Sequence, residues 1–238
     1  MGDTRLKALF RAWQSSRAME DEAALLVERT RAGDLSVAAL RLAAECGHNA
    51  SRCALQLGID RADGFLEWTA GLTLNSWPHV LLTACAKLPG ELLQLSLGKR
   101  PVLALQSASP TRFVEILLEA GIGFSDSDPN RTLKVGGLRT LFHIARVRAG
   151  ATEGTADVQL AAWSVTQHGA GVLLARADRS GPPAVEERYG QFVQALPRLG
   201  CSAREHSQEA WEKLQSVAHA VERDVISIAL AGAYGLQG

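Results

Sequence analysis

The tightest grouping of ligand-type side chains in this 238-residue chain is Cys46, His48 and Cys53. Thiolates and an imidazole at such spacing hold zinc when a fourth donor converges with them. Here Gly47 sits between Cys46 and His48 where a helical pattern ends, which turns the two side chains to different sides. The expectation is therefore a histidine bonded to the backbone of its own turn, and no metal. A cysteine nucleophile would need a base, and His79, His143 and His168 are the histidines considered for that role. Such a pair requires adjacency in space and a third group that orients the base. Cys46, Cys53 and Cys85 lie in Ala- and Leu-rich stretches that read as core. No catalytic residue, metal or cofactor is assigned.

Anion chemistry has two candidate locations. Lys134-Val-Gly-Gly137 ahead of a helical pattern suggests a helix N-terminus open to an anion, without the glycine spacing of a phosphate loop. The stronger feature is a run of cations, Arg131, Lys134, Arg139, Arg146 and Arg148, with no acidic residue between Asn130 and Ala149. Arg139 and Arg146 are seven apart and share a helical face. These five are the candidate binding residues, suited to an acidic protein, a phosphate or a nucleic-acid backbone. No regular aromatic interleaving supports base stacking, which disfavours nucleic acid. A solvated helix face is the plain alternative. Asp126 and Asp128 beside Pro129 read as turn residues.

Composition narrows the classes further. Apolar residues make up 47% and charged residues 21%, enough to build a packed core. Lys+Arg and Asp+Glu stand at 25 each, so no global field recruits a polyanion. Arginine predominates over lysine and alanine is abundant, a bacterial-like composition. No apolar run reaches the roughly 20 residues of a membrane span. Four cysteines without CxxC spacing point to free thiols in a reducing compartment. The expectation is a soluble, cytoplasmic protein.

The elements that must position these residues are short helices. Ser109-Pro110 opens a helix over 111–120 with Phe113, Ile116, Leu117 and Ala120 on one face, and Gly121 closes it. Similar periods occupy 37–44, 49–57 and 138–149, each ending at a glycine. Ser202 and Glu205 have capping-box spacing and predict a terminal capping helix over 203–232. Its stripe of Trp211, Leu214, Ala218, Val221, Val225 and Ile228 either covers the protein's own core or pairs copies into a homo-oligomer. The predicted class is mainly α, in stacked antiparallel helix pairs. One alternative remains open, a small β element within 138–177, because Gln167-His168-Gly169-Ala170 separates two apolar runs as a hairpin turn would. The chain divides into a helical part over 1–99 and a repeat-like part over 100–238.

Self-similarity supports the pairing of helices. Leu40-Arg-Leu-Ala-Ala-Glu-Cys-Gly-His48, Pro101-Val-Leu-Ala-Leu105 with Phe113-Val-Glu-Ile-Leu-Leu-Glu-Ala-Gly121, and Thr140-Leu-Phe-His-Ile-Ala145 resemble ankyrin repeats. The stretch 43–55 is similar to Sel1-type repeats. Either resemblance implies stacked helix pairs that bury a shared core and present a surface to another protein. The function expected is a non-enzymatic protein-protein interaction module, its partner another protein, with an enzyme of unrecognised class or a phosphate binder through 131–148 as alternatives.

Overall fold

The computed structural model describes residues 2–57, 78–97, 100–101, 110–150, 158–231 and 233–234. Among these are ten helices and one two-residue strand pair, β1 (Ser96–Leu97) antiparallel to β2 (Arg100–Pro101). The chain is mainly α. Trp68, Trp77 and most of 101–109 lie outside the described residues. The helices form two compact units, Met1–Gly64 with Glu222–Gly238, and Phe65–Val221. The boundary read at 99/100 falls inside the second.

In the first unit α1 (Gly2–Ser16), α2 (Met19–Ala32), α3 (Val37–Glu45) and α4 (Asn49–Ala54) are joined by tight turns. Helix α2 opens on Glu20, Asp21 and Glu22 and closes on Arg29 and Arg31, charges that complement its dipole. Gly33 then takes φ +82°, and the Asp34 N–H donates back to the Arg29 carbonyl at 3.0 Å. Ser36 caps α3 by accepting the Ala39 N–H. Ala23, Leu26, Leu35, Leu40, Ala43, Ala50, Leu230 and Ala233 form the core.

The second unit holds α5 (Pro78–Gln94), α6 (Pro110–Ile122), α7 (Arg131–Gly150), α8 (Val158–Ala177), α9 (Pro182–His206) and the first part of α10 (Gln208–Ala229). Helix α8 is the centre, packed by α5, α7 and α9. Ten of its residues, from Val158 to Leu173, are buried on every side, so it carries no amphipathic period. The β alternative within 138–177 is therefore not realised: both 138–150 and 158–177 are helical. The physical reason lies at Gly169. A Cβ there would stand 2.7 Å from the Cys85 carbonyl oxygen and 2.8 Å from Pro89 Cγ. The glycine lets α5 cross α8 closely; it is no turn.

Three helix boundaries differ from those the spacing predicts. Gly121 lies inside α6, because a Cβ would meet Ala86 Cβ at 2.9 Å, and Gly123 at φ +108° follows the helix instead. Gly136 and Gly137 lie inside α7, so residues 134–137 make no helix N-terminus for an anion. Ser202 and Glu205 lie in the last turns of α9; the break falls at Ser207, extended at φ −173°, whose hydroxyl accepts the Ala210 N–H at 3.1 Å. The terminal helix thus runs 208–229. Of its stripe, Leu214, Ala218, Val221 and Val225 are buried within the chain and Ile228 is exposed.

Candidate functional site

Helix α7 carries all five candidate cations, and tertiary structure divides them. Arg131 donates to the Ala177 carbonyl at 2.7 Å and lies 3.8 Å from Asp126. Lys134 bridges Glu119 at 2.6 Å and Asp128 at 2.7 Å. That ammonium holds the Asp128 carboxyl below its ordinary range, and Asp128 in turn raises Lys134. Arg139 reaches both oxygens of Asp178 at 3.2 Å. Acid absent from the local sequence is supplied by α6, by the turn before α7 and by the end of α8. Arg146 and Arg148 are exposed and form no ion pair among the described residues.

The outward side of α7 is an uncharged stripe. Leu133, Gly136, Thr140, His143 and Val147 follow steps of three and four along it. Leu133 and Val147 are 67% and 69% exposed, the highest values among the exposed large apolar residues of the described chain. A Cβ at Gly136 would meet nothing within 4 Å, whereas one at Gly137 would strike Ile116 Cδ1 at 2.6 Å. Gly137 therefore serves the α6–α7 contact, and Gly136 serves no contact among the described residues. At the N-terminal end the stripe runs into a groove of about 240 Å³ lined by Arg112, Glu115, Glu119, Leu133 and Lys134.

A second polar grouping, in the first unit, escaped the sequence reading apart from His48. The His48 side chain caps α4, its Nδ1 accepting the Ser51 N–H at 3.3 Å with the Ser51 hydroxyl 2.8 Å away. An accepting Nδ1 leaves the proton of the neutral ring on Nε2, which faces Glu22 Oε1 at 3.4 Å. Tyr234 donates to the same oxygen at 2.5 Å and stacks on Trp13 at 5.0 Å between centroids. The His48 hydrogen bond, opposed by burial and joined by that of Tyr234, holds Glu22 below the usual carboxylate range. Burial, aided by Glu22, pushes the Tyr234 phenol up. Serine, imidazole and carboxylate stand in a row, yet Ser51 is 0% exposed, so no substrate reaches its hydroxyl. The row ties the C-terminal segment and α2 to the start of α4. Only a polar residue at the cap position hinted at it in sequence; Glu22 and Tyr234 are 212 residues apart.

The remaining nucleophile candidates fare similarly. Cys46 and Cys85 are buried and Cys53 and Cys201 exposed. Burial pushes the Cys85 thiol far up, the reverse of an activated thiolate. His143 is exposed on the α7 stripe. Burial, with Arg188 and Arg198 nearby, holds His168 below its ordinary value. The side chain of His79 lies outside the described residues. No group of three His, Cys, Asp or Glu able to hold a metal occurs among the described residues. No helix among them is long and apolar enough to cross a membrane. The chain matches no protein-family model, no curated protein and no solved structure.

Proposed function

We propose that this protein is a non-enzymatic protein-protein interaction module of the cytoplasm, a degenerate helical repeat of ankyrin-like or Sel1-like kind, and that it docks its partner on the outer face of α7. The observation that carries this reading is the pairing of two strongly exposed apolar side chains, Leu133 and Val147, with two exposed arginines, 146 and 148, that have no ion pair among the described residues. Apolar anchors with guanidinium groups beside them are the composition of an interface centre and its rim. The two sites with catalytic residue types, around Ser51 and Cys85, are closed by burial.

The test compares the full chain with a Leu133→Asp, Val147→Asp variant as bait in extract of the source cells. Both side chains face solvent, so the variant melts at the temperature of the parent. The expected result is a protein recovered by the parent and at least tenfold depleted with the variant. Equal recovery by both, or turnover of a small molecule with no protein recovered, would overturn the reading. The exposed Arg146 and Arg148 also favour a second reading, binding of a phosphate or nucleic-acid backbone. Retention on heparin that drops when both become alanine supports it, and retention that survives the change removes it.

A further inference from the structure

We infer that the occupant of the α7 face is an acidic amphipathic helix belonging to a different protein, an inference that rests on the docking reading above. The argument from shape comes first. From Leu133 to Val147 the stripe covers four turns, about 21 Å at 1.5 Å per residue. It is narrow and uncharged, the complement of another helix laid along it. Gly136, one turn from its N-terminal end, has open space where a side chain would stand, and glycine in a helix interior destabilises that helix relative to alanine. The space lets a second backbone approach closely, as small residues do at helix crossings.

Charge then selects the occupant. Helix α7 carries five cations and no acid, and among the described residues Glu119, Asp126, Asp128 and Asp178 pair with Arg131, Lys134 and Arg139. Arg146 and Arg148 bracket Val147, so a helix seated on Val147 meets a guanidinium on either side. Carboxylates on the two flanks of the partner's apolar face would satisfy both. A second copy of this face paired in parallel about a two-fold axis would instead bring arginine toward arginine, which is repulsive. A polyphosphate chain would engage Arg146 and Arg148 but leave Leu133 and Val147 in water.

The experiment places a photo-crosslinking amino acid at position 140, mid-stripe, in the full chain made in its source cells, with a control at exposed position 186 on α9. Crosslinked segments are sequenced. The expected result is that position 140 captures a segment of another protein with apolar residues at helical spacing flanked by Asp or Glu. Arg146→Glu with Arg148→Glu should cut that yield about tenfold, and Glu→Lys in the captured segment should restore it. Capture of this chain itself, of nucleic acid, or of a segment without acidic flanks overturns the inference while leaving α7 as a contact face. Capture from 186 alone removes α7 and keeps an interaction module. Capture from neither position removes both.

Discussion

Single residues in this protein are held by partners remote in sequence. His48 looks like half of a metal site beside Cys46 and Cys53, yet its two nitrogens are engaged by Ser51 and Glu22, with Cys46 buried and Cys53 exposed. Glu22 carries a testable consequence. The folded state keeps Glu22 ionised to lower pH than the unfolded chain does, so the unfolded chain takes up more protons below about pH 4.3. Stability from this group is complete above that value and is lost as pH falls through the lowered native one. In urea titrations the parent should lose this stability as pH falls below about 4.3, and Glu22→Gln should be weaker at pH 6 with a flatter fall in that lower range. An unchanged pH profile in the variant would show that the His48 and Tyr234 hydrogen bonds do not hold the carboxylate.

At the scale of elements, glycine carries two opposite meanings that spacing alone does not separate. Gly169 in α8 is filled from outside by the Cys85 carbonyl and Pro89, while Gly136 in α7 faces open space. Gly169→Ala forces backbone apart and should destabilise by about 1–3 kcal/mol, as overpacking does. Gly136→Ala should stabilise by about 0.5–1 kcal/mol through helix propensity alone. Thermal melts of the two variants give opposite shifts; a loss at Gly136 would mean that α7 is packed there. If the docking inference holds, the more stable Gly136→Ala chain also binds its partner less well.

For the whole molecule, the two cores are separate groups of residues, one around Leu26 and Leu40, the other around Leu117, Leu173 and Phe192. A large-to-small change in either should cost about 2–5 kcal/mol. Leu26→Ala should lower amide-exchange protection most in α2–α4, and Phe192→Ala most in α5, α8 and α9. Uniform loss in both regions from either change would mean that the units unfold as one.

Helical class was legible from the chain itself because it depends on local periodicity and punctuation. The faces of 113–120 and 211–225 turned inward as their spacing requires. Periodicity failed at 158–177 for a definite reason: a helix buried all round has no amphipathic face, and its close-packed glycine imitates a turn. Capping was legible only in part, since Ser202 and Ser207 are the same residue type and packing placed the break at the second. The five cations of α7 were visible in order, but charge is neutralised in space. Only the folded chain brought Glu119, Asp126, Asp128 and Asp178 to three of them and left Arg146 and Arg148, beside an apolar stripe, facing outward.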